Sequence, residues 1–286
     1  MKKILITGAN SYIGTSVEKW LLSKENYEVV TLDVKDTDWK KFDFSPFDSV
    51  FHVAGIAHFS KDESKKDLYY QVNTDLTAEV AAKAKNAGVG QFIFMSSIII
   101  YGDSSSAKRI IGKDTVPTPS DFYGDSKWQA EKRISPLESD DFKVVIVRPP
   151  MIFGKGSKGN YPKLARLAKK TPFFPDFPNQ RSMLHIGNLC AFIQGVIDHE
   201  SNGIFYPQNK EYVNTSELVS EIANFHGRKI FRSKILNPII QLFFGFDIVK
   251  KVFGNLVYEK EISQYDFEYQ VRDFAESVRL TETDAT

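Results

Sequence analysis

The first strand, turn and helix constrain this chain more than any other stretch. Lys3 to Thr7 is a short apolar run that reads as a β-strand, and it enters Thr7-Gly8-Ala9-Asn10-Ser11-Tyr12-Ile13-Gly14 and then the helical run Val17 to Leu22. Strand, glycine-bearing turn and helix in that order open a βαβ unit. In such a turn Gly8 permits the tight reversal and Gly14 lets the helix pack closely on the strand. The helix start at Asn10, Ser11, Tyr12 and Ile13 presents N–H groups suited to a pyrophosphate. Asp33 follows 19 residues after Gly14, at the end of a second predicted strand, Val29 to Leu32. A carboxylate there accepts hydrogen bonds from an adenine-ribose diol and repels a 2′-phosphate. A glycine turn alone also fits an ordinary strand-helix connection; with Asp33 on cue it points to a dinucleotide, NAD in preference to NADP, although Lys35 would suit a phosphate.

The same rhythm continues along the chain. Val50 to Ala54 reads as a third strand, Leu76 to Ala87 as a helix stopped by Gly88, and Phe92 to Met95 and Val144 to Val147 as two further buried strands. About six strands in this alternation make an α/β fold, a Rossmann doubly wound parallel sheet. After Arg148-Pro149-Pro150 the texture changes, with Gly154, Gly156, Gly159, Pro162, Pro172, Pro175 and Pro178 crowding the next thirty residues. The expected organisation is a dinucleotide-binding domain over 1–150, revisited by a strand and helix at about 183–200, and a smaller C-terminal substrate-binding domain formed by 151–182 and 201–286. The polar segment from Ser104-Ser105-Ser106 to Asp121 reads as a lid, and Thr281 to Thr286 as a frayed tail.

Charge and cysteine content exclude several function classes. The 286 residues carry 37 basic and 36 acidic side chains, a net charge of +1, which argues against a nucleic-acid partner. The single cysteine, Cys190, rules out an internal disulfide and a multi-cysteine metal site and suits a reducing compartment; its apolar helical setting makes it a core residue. His52, His58, His185, His199 and His226 have no metal-ligand spacing, so no metal is expected and the histidines read as structural or exposed. The apolar run after Met1-Lys2-Lys3 breaks at Thr7-Gly8, before a signal-peptide core could form. No stretch approaches the ~20 apolar residues of a membrane span, and a cytoplasmic location is expected. The apolar stretch Ile235 to Phe253 reads as packing of the second region, with a membrane-surface helix as the lesser reading.

A second constellation carries chemistry. Tyr123-Gly124-Asp125-Ser126-Lys127 begins a predicted helix, so the phenol and the ammonium share one face, roughly 6 Å apart in rise. A tyrosine of pKa about 10 is a weak base at neutral pH, and a neighbouring cation favours its phenolate. Such a pair is common on surfaces. Here it has company: the apolar strand at Phe92 to Met95 ends in Ser96-Ser97, and ligands of open α/β sheets bind at strand C-terminal ends, where Ser97 can meet a reacting alcohol or carbonyl.

Taken in order, Thr7 to Gly14, His52-Val53-Ala54-Gly55, Asn73, Ser97 through Gly102, Tyr123 with Lys127, and Arg148-Pro149 resemble the extended short-chain dehydrogenase/reductases, in their nucleotide-sugar epimerase/dehydratase branch. The resemblance implies that Tyr123 is the acid/base, that Lys127 holds the nicotinamide ribose and tunes Tyr123, and that Ser97 orients the substrate oxygen. It further implies Asp43 and Phe44 beside the adenine, Ala54 and Gly55 along the cofactor, and Asn73 in the supporting network. Ser11 stands where the family has its middle glycine, which narrows the approach to the pyrophosphate while offering a hydroxyl.

Lys155 to Lys170 holds six basic residues and no acidic one, and Pro162 marks a helix start, so Asn160 faces whatever docks there. By the same resemblance Arg181 contacts the diphosphate of a UDP-sugar, assisted by Asn160; Asn188 replaces a family Asp and receives no role. The function implied is NAD-dependent epimerisation at C4 of a UDP-sugar, with an NAD(P)H-dependent UDP-4-keto-6-deoxy-sugar reductase of surface-polysaccharide synthesis as the alternative. Dehydration is disfavoured because Ser97 is followed by Ile98-Ile99 where dehydratases carry Asp-Glu. A non-catalytic dinucleotide-binding regulator would have no use for Ser97, Tyr123 and Lys127 together. Homodimers are usual in the family.

Overall fold

Six parallel strands form the central sheet: β1 (Lys2–Thr7), β2 (Tyr27–Leu32), β3 (Ser49–His52), β4 (Gln91–Met95), β5 (Lys143–Val147) and β6 (Gly203–Phe205), in the order 2-1-3-4-5-6. The structure is a computed structural model and describes residues 1–57, 62–105 and 107–283. The chain leaves β1 to one side for β2 and to the other for β3. Their carboxyl ends therefore diverge into the crevice where doubly wound sheets take ligands. β3 and β4 are buried throughout, as strands covered on both faces must be. Alternation sorts their side chains: Ile4, Ile6, Phe51 and Ile93 join one core, Leu5, Val50, Phe92 and Phe94 the other.

Helices α1 (Tyr12–Leu22), α2 (Leu76–Asn86), α3 (Phe122–Ile134), α4 (Asn160–Ala168), α5 (Ile186–Asp198), α6 (Thr215–Phe225) and α7 (Phe274–Glu282) complete the main framework. Val17 and Leu21 of α1 and Leu189, Phe192 and Val196 of α5 cover one face; Val80 and Ala84 of α2 and Ala130 and Ile134 of α3 cover the other. α5 is tied to α1 by Trp20 Nε1 donating to Gln194 Oε1 (2.8 Å). Beyond it, β6 pairs with β5 at the sheet edge. A second core gathers Phe153, Tyr161, Ala165, Met183, Leu218, Ile222 and Val278 around α4, α6 and α7.

Two expectations are corrected. The segment read as a frayed tail is helical through Glu282. Its carboxylate is buried and meets Lys169 Nζ (2.9 Å) and His226 Nε2 (2.7 Å); 284–286 lie outside the described residues. The segment read as a lid is stitched down: Ser104 Oγ donates to Lys250 O (2.7 Å), Ser105 exchanges backbone bonds with Asn255, and Ile110–Ile111 pairs with Val257–Tyr258, while Ser106 lies outside the described residues. Polar residues there satisfy each other's backbone, which composition alone cannot distinguish from solvation.

His52 and His185 are buried and neutral, Cys190 is buried in α5, and His58 lies outside the described residues. The His52 tautomer follows from its partners. Thr77 Oγ1 gives its proton to Asn73 O (2.8 Å), so it accepts from Nε2 (3.0 Å), and Nδ1 accepts from Thr7 Oγ1 (2.7 Å). Burial, then the Lys127 charge, pushes the His52 imidazole down to about 3; burial, then Arg272, pushes His185 down to about 4. A folded-state pKa depressed below the unfolded 6.5 means that the unfolded chain binds more protons as the pH falls. Stability is therefore full above pH 6.5 and is lost toward pH 4, by roughly 3 kcal/mol for each histidine. Urea unfolding at pH 7 and pH 4 measures this; equal free energies at both would show that the two imidazoles are protonated in the fold.

Candidate active site

The glycine turn sits at the crevice between β1 and β3. Gly8 has φ +113, and a Cβ there would lie 2.7 Å from Ala54 N, so only glycine permits this approach of the two strand ends. Asn10 takes the left-handed conformation too (φ 62), which its type tolerates. Ser11 caps α1: its Oγ accepts from Gly14 N (3.1 Å), and a Cβ on Gly14 would fall 2.6 Å from that oxygen. The hydroxyl in place of the middle glycine is thus turned into its own helix, keeping its proton for another acceptor. The N–H groups of Tyr12 and Ile13 have no partner among the described residues and stay available at the positive end of the helix. The Tyr12 side chain turns inward, its hydroxyl buried against Gly154.

Asp33 follows β2, is about half exposed, and pairs with Lys35, whose Nζ lies 3.4 Å from Oδ2 and whose N–H donates to Oδ1 (3.0 Å). Lys35, read in sequence as a rival phosphate ligand, is thus held by the carboxylate. Asp43 is exposed and accepts from Ser45 N (2.9 Å), which holds its carboxyl below the usual range. The Phe44 ring is in the core with Trp39 and Phe47, so at this position only backbone can face a ligand.

Across the crevice, Gly55 stands against Asn73 and Lys127: a Cβ on Gly55 would be 2.9 Å from Asn73 Oδ1 and 3.0 Å from Lys127 Nζ. Asn73 lies in a π-helical stretch, Tyr70–Asp75, leading into α2. It accepts from Ile56 N (2.8 Å) and donates to Ile56 O (3.0 Å) and Ser126 Oγ (3.0 Å). This splices the loop after β3 to α3.

Asp121 caps α3 by accepting from Gly124 N (2.8 Å). Lys127 Nζ donates to Met95 O (2.9 Å) and sits 4.7 Å from the Phe94 ring centroid. Burial brings its ammonium down to about 8, against the pull of Glu131 upward. One turn earlier, the Tyr123 ring packs edge-on to Tyr69 (6.1 Å). Burial raises the phenol to about 12, with Ser97 opposing and Asp121 and Tyr69 adding to the rise. Ser97 follows β4 by two residues and caps the turn Ile98–Tyr101 by accepting from Ile99 N (3.3 Å).

Sequence reasoning missed a buried network behind this face. Glu131, on the same helical face as Tyr123 and Lys127, accepts from Ser96 Oγ and pairs with Arg148 (Nη2 to Oε2, 2.5 Å). Arg148 also donates to Tyr101 OH (2.6 Å) and Tyr206 OH (3.2 Å). The spacing of four from Lys127 to Glu131 was the available signal.

In the second region Asn160 opens α4 after Gly159 (φ 102), and the basic residues from Lys155 to Lys170 are exposed, Lys169 being paired with Glu282. Arg181 donates from Nη1 to Lys251 O (3.2 Å) and Gly254 O (3.3 Å), the C-terminal end of the helix Asp247–Phe253. It has no carboxylate partner among the described residues, and burial lowers its pKa to about 10, which leaves it charged. Asn188 is buried between Asn209 Oδ1 (2.9 Å) and Arg272 O (2.9 Å), a fastening of the C-terminal segment. Among the described residues no cluster of His, Cys, Asp and Glu could hold a metal ion.

The architecture is a Rossmann doubly wound sheet with its lysine, tyrosine and serine at one end of the crevice. The chain belongs to the NAD dependent epimerase/dehydratase family, whose sequence profile matches residues 4–206, and it is an NAD-dependent enzyme of that family. A UDP-glucose 4-epimerase of Vibrio cholerae is 34% identical over 246 residues, 78% of this chain and 75% of the relative. The N-acetyl-alpha-D-glucosaminyl-diphospho-ditrans,octacis-undecaprenol 4-epimerase of Escherichia coli O157:H7 is 29% identical over 275 residues, 88% of this chain and 81% of the relative. Among solved structures, a dTDP-4-dehydrorhamnose reductase of Clostridium acetobutylicum superimposes with a TM-score of 0.77 over 98% of both chains at 22% identity, a likeness of fold.

Proposed function

We propose that this protein is a 4-epimerase of a UDP-sugar, with a cofactor domain of 1–150 revisited at about 183–200 and a substrate domain of 151–182 and 201–286 meeting at the crevice. The observation that carries the reading is Lys127, buried beside Gly55 and Asn73 one turn along α3 from Tyr123, with Ser97 just past the end of β4. The residues suit a nicotinamide dinucleotide: an open helix N-terminus at Tyr12 and Ile13 for the pyrophosphate, Asp33 for the adenine ribose, and Ala54, Gly55, Asn73 and Lys127 along the nicotinamide half. When bound, the oxidised nicotinamide supplies a hydride acceptor and a positive charge. Ser97 orients the oxygen on C4, Tyr123 takes up its proton and later returns it, and Arg181 with Asn160 holds the diphosphate through a guanidinium whose partners among the described residues are carbonyls.

The E. coli relative favours a second ester. That enzyme is named for a sugar diphosphate on a polyprenol, and a site built on the diphosphate and C4 would serve either carrier. Incubation of the purified protein with UDP-glucose or UDP-N-acetylglucosamine, without added reductant, is expected to yield the C4 epimer by anion-exchange chromatography. Conversion of N-acetylglucosaminyl-diphospho-polyprenol alone would replace the UDP-sugar by the lipid ester. Consumption of a 4-keto UDP-sugar only when NADH or NADPH is added would overturn epimerisation in favour of reduction.

A further inference from the structure

The sequence from Lys234 to Phe253 folds into a turn and two short helices, Asn237–Leu242 and Asp247–Phe253, that are apolar on both sides. The inner side is accounted for: Ile240 and Phe244 pack with Phe177, Val249 and Phe253. The outer side is not. Ile235 (82% exposed), Ile239 (52%), Leu242 (80%), Phe243 (46%), Phe246 (61%) and Ile248 (73%) face solvent. Phe173 and Phe231, each 64% exposed with ring centroids 5.8 Å apart, extend the face on the neighbouring strand pair. Scattered apolar residues on a surface need no explanation, but a helix pair with exposed apolar side chains besides its packed ones does, since one-sided packing asks for one apolar stripe.

Charge decides between the occupants. Residues 228–251 hold six basic side chains (Arg228, Lys229, Arg232, Lys234, Lys250 and Lys251) and one acidic, Asp247, in a chain whose net charge is only +1. A two-fold dimer through this face would set basic against basic. An anionic lipid surface answers both features at once, taking the apolar side chains into the headgroup boundary and the lysines and arginines onto its phosphates. No helix among the described residues is long and apolar enough to cross a membrane, so the contact would lie on the surface. We propose that the outer face of residues 235–248 docks this protein on an anionic phospholipid bilayer. The helix Asp247–Phe253 also ends on Arg181, so docking would bring the proposed diphosphate ligand close to the lipid surface. The inference stands on the surface itself and survives a failure of the C4 reading.

Flotation of the full chain with vesicles tests it. The protein is expected to float with phosphatidylglycerol/phosphatidylethanolamine vesicles, to be released by high salt, and to stay unbound with phosphatidylcholine alone. A Phe246→Glu/Ile248→Glu variant, altered only at exposed positions, should bind the anionic vesicles at least about tenfold less, with an unchanged thermal unfolding midpoint. No flotation with the anionic vesicles, equal flotation of the variant, or equal binding to phosphatidylcholine would overturn the proposal. So would a dimer in sedimentation equilibrium that the same variant dissociates without any vesicle binding, which would assign the face to a second copy.

Discussion

Tyr123→Phe is expected to lower turnover of the substrate by a factor of about 10²–10⁴, the range for loss of a positioned acid/base, with little change in KM. The substitution removes one oxygen from a half-buried ring whose edge contact with Tyr69 it preserves, so the unfolding midpoint should stay where it is. The chain's own groups hold the phenol up at about 12, chiefly through burial. At neutral pH it therefore starts as a proton donor, and its work as a base depends on positive charge brought in with the oxidised cofactor. Steady-state kinetics of the two proteins checks this. Equal turnover would remove Tyr123 from the chemistry, whereas a higher KM at unchanged turnover would make it a binding group.

Glu131→Gln is expected to cost about 3–5 kcal/mol of folding stability, because it leaves the Arg148 guanidinium charged in a site where the two side chains are only 4% and 7% exposed. Arg148 is held at the far upper end of its range by its neighbours and cannot escape by losing its proton. Urea unfolding measures the loss. The partner experiment separates a broken pair from a generally intolerant site: in a Glu131→Leu/Arg148→Met double variant no charge remains unpaired, so much of the loss should be recovered. A Glu131→Gln variant within about 1 kcal/mol of the parent would mean that water reaches the pair. Because the same carboxylate accepts from Ser96 and sits one turn beyond Lys127, loosening it should also lower turnover by letting α3 shift against β4.

These two positions differ in how they could be found. Tyr123, Lys127 and Ser97 were legible because local spacing and a strand end place them before any folding is considered. Asp33 was legible for the same reason, at a set distance along a βαβ unit. Arg148 and Glu131 are 17 positions apart, and nothing in either neighbourhood says that they share one buried charge pair. At Phe44, a position the resemblance sets beside the adenine, the fold spends the ring on its core and leaves the backbone to face a ligand. Ser11 looked like an obstacle at the pyrophosphate turn and proves to be a helix cap, since its rotamer is set by the N–H of Gly14.

The lid and tail readings failed for a common reason. Polar, serine-rich and terminal segments look alike whether water or a distant part of the chain satisfies their polar groups, and here Lys250, Asn255, Lys169 and His226 do so. Periodicity and turn chemistry act over a few residues, so the sequence by itself determined the parallel sheet, the glycine turn into α1 and the face of the helix that carries Tyr123 and Lys127. What a buried charge pairs with, where the Lys127 ammonium points, and which apolar surface is left uncovered depend on elements far apart in the chain. Tertiary packing alone decided those, because desolvation is a property of the assembled neighbourhood.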